Sequence, residues 1–341
     1  MNAPTTHRES REPMFVEAIE AILADCCTPS IVRNIEAGAS PAALWRAIAE
    51  SGFLEMLTPE AAGGAGLSLA AVFPVIECLG RHAVPVPVAQ SILARALLTE
   101  HDVPVPDGMI TFSSACKADR DGVTYCPIVP YGTIADVVLA DHDGDLVVLQ
   151  CARAERIPTG VHGSQCATVR WAEPLAPVAR VPCAARALHA CAAIVSAALL
   201  AGAMSRAFAL TLQYANDRAQ FGKPIGKFQA IQQQLSVMAE QVAAATIAAE
   251  LGFSGERGLP DALRAAIAKA RTSEAVVPVA ATAHALHGAI GVTEEYDLQL
   301  LTRRMHEWRT AHGSEHYWNA IVGDALLESG LPVGDFVLQS A

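Results

Sequence analysis

Positive charge is scarce in this sequence. Of its 341 residues, 24 are lysine or arginine and 35 are aspartate or glutamate, for a net charge of −11. With no basic run to neutralise phosphates, the composition argues against nucleic-acid binding. Paired cysteine motifs are absent as well. Cys26, Cys27, Cys78, Cys116, Cys126, Cys151, Cys166, Cys183 and Cys191 are scattered, and none forms a C-x-x-C step. An odd number without metal-ligand spacing, in a chain this long, reads as the reduced thiols of a cytoplasmic protein. Neither metal ligation nor a nucleophilic cysteine is implied. No basic-then-apolar stretch follows Met1, so no secretory leader is expected. The one long apolar run, "ALHACAAIVSAALLAGAMS" from Ala187 to Ser205, is mostly alanine and contains His189. It continues into an amphipathic helix, and a buried bundle helix is expected there, not a membrane span.

Hydrophobic residues make up 52% of the chain, ample for a sizeable core in two or three parts. The first part, residues 1–104, reads as helical. "SPAALWRAIAESGFLEM" offers Ser40 as a cap, Pro41 at the first helical position, and Leu44 with Ile48 on one face. "TPEAAGGAGLSLAAVFPVIECLG" breaks at its glycines and resumes as a helix, which "VPVPVAQ" ends. Residues 105–182 change character. "DGMITFSSAC", "DGVTYCPIVPYG", "IADVVLADHDGDLVVLQC" and "QCATVRWAEPL" are short β-rich runs punctuated by Asp-Gly and Gly-Asp turns. They predict a small antiparallel sheet or barrel. Residues 183–341 return to helical periodicity. Phe228, Ile231, Leu235, Met238, Val242 and Ala245 step by three and four, as a bundle seam does. Leu298, Leu301, Met305 and Trp308 repeat the rhythm before a His312-Gly313 step. Arg303, Arg304 and Arg309 with His306 read as a solvated basic face, and His284 and His287 as packed histidines. The fold class is mainly α with a small β domain.

Three stretches together resemble the acyl-CoA dehydrogenase family. "RAQFGKPIGKFQAIQQQLSVMA", Arg218–Ala239, is similar to its R-x-x-F-G…PI…FQ…Q block. "HALHGAIGVTEEY", His284–Tyr296, is similar to its glycine turn, and "GFLEMLTPEAAGGAGLSL" to its PE-x-x-GG-x-G segment. The resemblance runs through nearly the whole chain. It implies an acyl-CoA dehydrogenase-like fold: an N-terminal helical domain, a reduced middle β domain and a C-terminal four-helix-bundle-like domain. It also implies FAD sandwiched between two subunits. One subunit's β domain holds the flavin ring, and the neighbour's block holds the adenosine diphosphate half. The corresponding positions here are Arg218, Gln220, Phe221 and Gln229, with Gly288 and Ala289 of the glycine turn. A guanidinium suits a diphosphate, and a phenyl ring suits an apolar face.

The sequence departs from the family where the chemistry should be. The family's catalytic glutamate commonly lies in a Tyr-Glu-Gly step, which falls here on Ala311-His312-Gly313. The alternative site, on an earlier helix, falls at about Ala192, and no carboxylate occurs between Arg186 and Asp217. The T-E-P-x-x-G-S-D run that cradles the flavin is replaced by "TFSSACKADRDG", and the W-I-T step by something like "IVPYGT". The glycine turn has Ala285 for its glutamine and Ala289 for a glycine. The resemblance therefore implies the shorter, degenerate subunit of a heterotetrameric acyl-CoA dehydrogenase of the steroid or bile-acid side-chain type. Such a complex is an FAD-dependent oxidoreductase acting on a CH–CH bond, turning an acyl-CoA into a 2,3-enoyl-CoA. A related catalytic subunit would supply the base, with electron-transfer flavoprotein as acceptor. Two other readings stand beside it: a self-contained flavoenzyme, dehydrogenase or monooxygenase, using His312 as base, and a non-enzymatic pairing scaffold. Trp308, His316 and Tyr317 are expected to fill the space around His312.

Overall fold

The computed structural model describes residues 12–120, 122–172, 177–255 and 258–340. Among the described residues five helices come first: α1 (Glu12–Cys26), α2 (Pro29–Glu36), α3 (Ala42–Ala49), α4 (Leu69–Arg81) and α5 (Val88–Glu100). Their starts follow local chemistry. The Thr28 hydroxyl accepts from the Ile31 amide and the Ser68 hydroxyl from the Ala71 amide, each satisfying an amide that a helix start leaves free. At α3 the Ser40 hydroxyl accepts from Ala42, the first helical residue, and Leu44 and Ile48 are buried as their spacing requires. The two prolines of "VPVPVAQ" lie in the link between α4 and α5, and α4 itself ends at Arg81.

Among the described residues eight strands follow: β1 (Ile110–Ser113), β2 (Lys117–Ala118), β3 (Thr124–Val129), β4 (Val137–His142), β5 (Asp145–Gln150), β6 (Glu155–Pro158), β7 (Ala167–Trp171) and β8 (Ala179–Val181). The expectation of one small antiparallel sheet or barrel is corrected here. The strands form two four-stranded sheets, ordered β1-β4-β5-β8 and β2-β3-β7-β6, and β1 pairs with β4 in parallel. The parallel pair arises because residues 114–136 pass through the second sheet before returning. The Asp143-Gly144 turn between β4 and β5 is as expected: both residues have positive φ, and the Asp141 carboxylate accepts from the Gly144 amide.

The C-terminal part contains α6 (Ala185–Asp217), a hairpin of β9 (Ala219–Gln220) and β10 (Lys223–Pro224), then α7 (Gln229–Gly252), α8 (Ala262–His287), α9 (Leu298–Thr310), α10 (Glu315–Ser329) and α11 (Val333–Ser340). The apolar run is the first two-thirds of α6, and it is buried at nearly every position. A helix apolar on all sides must be packed on all sides. Helix α4 packs so closely on α6 that a Cβ on Gly202 would stand 1.9 Å from the Glu77 carbonyl oxygen. In α7 the seam residues Leu235, Met238, Val242 and Ala245 are buried, as are Leu298, Leu301, Met305 and Trp308 in α9. All nine cysteines are free thiols, and seven are buried.

Candidate functional site

Helix α9 ends at Thr310, and its last carbonyls need donors. Lys269 of α8 supplies them. Its ammonium, fully buried, donates to the Trp308 and Arg309 carbonyls at 2.7 and 2.8 Å and to the Ser273 hydroxyl at 2.9 Å. Burial pushes the Lys269 ammonium down to about 7. Beyond this cap the chain turns through two left-handed residues, His312 (φ +58°) and Gly313 (φ +105°). Gly313 lies under the Tyr317 and Trp318 rings, where a Cβ would come within 2.5 Å.

This turn presents His312 to the β region. Its Nδ1 lies 2.9 Å from the Ser114 hydroxyl, and Phe112 meets its ring edge-on at 6.4 Å. Burial holds the imidazole down at about 3, reinforced by the nearby charges of Lys269 and His189. His189 is itself 2.9 Å from the Asp141 carboxylate. His312 lines a cavity of about 280 Å3 with Ser113, Ser114, Pro127, Ile128 and Pro130. Of the residues expected to fill this space, Trp308 is buried in the bundle, His316 is exposed, and Tyr317 is half-exposed over Gly313, so a cavity remains. Ile128 and Cys166 also wall a larger cavity of about 770 Å3. Ile128 sits at an irregularity in β3 with φ +46°, strained for a β-branched side chain.

The basic face expected on α9 is corrected. Arg304 is 1% exposed and bridges Glu36 and Glu307 at 3.0 Å each. Arg303 reaches Glu36 at 2.7 Å, and Arg309 pairs with Glu315. Glu36, from α2, is itself nearly buried, so a desolvated charge network clamps α9 to the N-terminal helices. The histidines are packed, as read: His284 bonds the Thr302 hydroxyl, and His287 bonds the Ala283 carbonyl and the Tyr296 hydroxyl.

The expected cofactor residues gather at the far end of the bundle. Phe221 and Gly222 form the turn of the β9–β10 hairpin, both left-handed, with Gln220 facing Lys223 across it. Phe221 is 91% exposed. Arg218 leads into the hairpin, Gln229 opens α7, and both are exposed. Gly288 and Ala289, also exposed, follow α8 at the same end, where Tyr214 of α6 stacks on His287 at 4.4 Å. Ala192 is buried near the opposite end of α6, three residues after His189. From Ala192 to Arg218 is about 26 residues of helix, so roughly 39 Å at 1.5 Å per residue. The structure thus divides the expected site residues into two groups at opposite ends.

Residues 183–327 match the family described as "Acyl-CoA dehydrogenase, C-terminal domain", and residues 9–100 match "Acyl-CoA dehydrogenase, N-terminal domain". Acyl-CoA dehydrogenase IpdE2 of Mycolicibacterium smegmatis is 32% identical over 303 residues, covering 87% of this chain and 93% of the relative. The chain belongs to the acyl-CoA dehydrogenase family. IpdE2 of Mycobacterium tuberculosis is likewise 32% identical, covering 88% of this chain and 92% of its own. A solved "Tcur3481-Tcur3483 steroid ACAD G363A variant" superposes with a TM-score of 0.82 at 25% identity, covering 94% of this chain and 99% of that one. The family binds FAD.

Sequence reasoning missed Lys269, the His189–Asp141 pair and Glu36. Each is an ordinary residue locally, and only its long-range neighbours give it a role. The His312 pKa is depressed from 6.5 to about 3, so the unfolded chain takes up a proton that the folded one refuses. The stability it contributes is complete above pH 6.5 and is lost as pH falls towards 3. Urea unfolding at pH 7.5 and 5.0 should show a smaller acid loss in His312→Asn, since asparagine tolerates the left-handed backbone. Equal losses would assign the acid sensitivity to other groups.

Proposed function

We propose that this chain is the non-catalytic subunit of a hetero-oligomeric, FAD-dependent acyl-CoA dehydrogenase, completing the FAD site of a related catalytic subunit. The observation that supports it best is the separation of the two groups of site residues. Roughly 39 Å of α6 separates Arg218 from the Ala192 position, which favours Arg218, Gln220, Phe221 and Gln229 serving a neighbour's site over one at that end. They face outward, with an aromatic ring held in a strained turn and almost fully exposed. Arg218 has no ion pair among the described residues. These residues fit the diphosphate and adenosine half of FAD bound to a neighbour.

The His312 end fits the flavin half poorly. The Ser114 hydroxyl is engaged by His312, and the Ser113 hydroxyl donates to the Ala115 carbonyl. No carboxylate stands at either family position, and an imidazole held near 3 is a weak base at neutral pH. That value also disfavours a self-contained flavoenzyme using His312. In the complex a glutamate of the partner would remove the α-proton, and FAD, held at its adenosine diphosphate half by Arg218, Gln220, Phe221 and Gln229, would supply the hydride acceptor. The substrate class is a bulky, steroid-type acyl-CoA. This rests on the steroid dehydrogenase relative and on the room left by a subunit that does no chemistry.

The test is to purify the chain alone and co-expressed with candidate catalytic partners, then record the flavin spectrum. The chain alone should carry no flavin, and the complex should carry it. His312→Ala in the complex should retain turnover within a few-fold, whereas a positioned base contributes roughly 10²–10⁴-fold. Complete loss, with assembly and FAD content unchanged, would make His312 the base. A homotetramer holding one FAD per chain would overturn the whole reading.

A further inference from the structure

A cavity of about 520 Å3 opens between the N-terminal helices and the bundle. That is within the roughly 300–1,000 Å3 of small-molecule sites. Its floor is apolar, built from Leu23, Val32, Leu210, Leu300 and Leu301. Its rim carries Arg81, His82 and Arg206 against Glu20 and Asp297. The two carboxylates are already engaged. Asp297 is held by Arg33 at 2.7 Å. Glu20 accepts from the Cys78 thiol and from Arg81 at 3.0 Å each, and lies 2.9 Å from His82. The cations are less fully used. Arg206 has no ion pair among the described residues, and the Arg81 Nε is buried without a partner. The rim therefore has spare positive charge and spare donors above a greasy floor.

Glu20, Cys78 and His82 also bring ligand atoms within 4.8 Å of one another, as a metal site would. The Arg81 guanidinium bonds the same Glu20 oxygen as the thiol, and a divalent ion there would face that positive charge at contact distance. The cluster is better explained as a tie between α1 and α4, and it does not change the sign of the rim.

We propose that this cavity binds a small amphipathic carboxylate. Its carboxylate meets Arg206, with Arg81 adding positive charge from the rim, and its hydrocarbon body lies on the leucine floor. Guanidinium groups match the planar geometry of a carboxylate. Leu301 precedes His312 by eleven residues, and Arg206 precedes Arg218 by twelve, so the cavity lies roughly 17 Å along the chain axis from the first and roughly 18 Å from the second. It belongs to neither group of residues in the proposed dehydrogenase site and stands independently of that reading.

Titration calorimetry of the full chain with decanoate tests it. Saturable one-site binding is expected. It should weaken at least tenfold in Arg206→Gln, which removes the charge, and in Ala209→Trp, which fills the space from an exposed rim position. It should be unchanged in Arg186→Gln, a surface arginine near the start of α6. Decyltrimethylammonium, with the same chain and opposite charge, should not bind there. The proposal is overturned if decanoate shows no saturable binding, if Arg206→Gln binds it as tightly as the wild type, or if the cationic amphiphile binds equally well.

Discussion

Arg218→Ala in the assembled complex should release FAD. A charge-assisted contact to a diphosphate is worth on the order of 1.5–3 kcal/mol, a tenfold to hundredfold loss at about 1.4 kcal/mol per decade. The side chain is exposed and forms no ion pair with a carboxylate among the described residues. Its removal should therefore leave the thermal stability of the isolated chain unchanged, and that separates a cofactor role from a structural one. Phe221→Ala should behave in the same way, because the ring is almost fully exposed and meets the edge of Phe228 at 6.2 Å between centroids. Equilibrium dialysis of FAD from the complex, beside thermal unfolding of the chain alone, gives both numbers. Unchanged FAD affinity in Arg218→Ala would remove the residue from the cofactor site.

Arg304→Met should destabilise the chain by about 3–5 kcal/mol, the usual consequence of removing one partner from a buried ion pair. The reason is what it leaves behind. Glu36 would keep Arg303 but lose Arg304, and Glu307 would lose its partner at 3.0 Å. Both carboxylates are largely out of water. Adding Glu307→Leu should recover part of the loss by removing the stranded charge. Denaturant unfolding of the single and double variants decides it. A loss below about 1 kcal/mol, the range of surface pairs, would show the network to be effectively solvated.

How far the chain could be read differs from element to element. The seam of α7 was legible because burial follows its three-four spacing from Leu235 onward. At the start of that helix Phe228 and Ile231 are only half-buried, because that end carries the hairpin. The Asp143-Gly144 turn was legible because its backbone is set by two residues. The parallel pairing of β1 with β4 was not, since nothing in "MITFS" or "DVVLADH" states which strand lies beside which. Arg304 was misread for the same reason. Its neighbours in sequence are Arg303 and His306, while its partner Glu36 is 268 positions away.

The sequence by itself determined the family and the order of helical, β and helical parts. Motifs and periodicity are short-range, and each is complete within one stretch of chain. Tertiary structure alone decided that the Arg218 block and the His312 turn lie at opposite ends of one helix. It also decided that Lys269 caps α9, that a cavity remains beside His312, and that Arg206 and Arg81 share a rim. These depend on which distant surfaces are brought into contact, and that is settled by the packing of whole helices and sheets around the core.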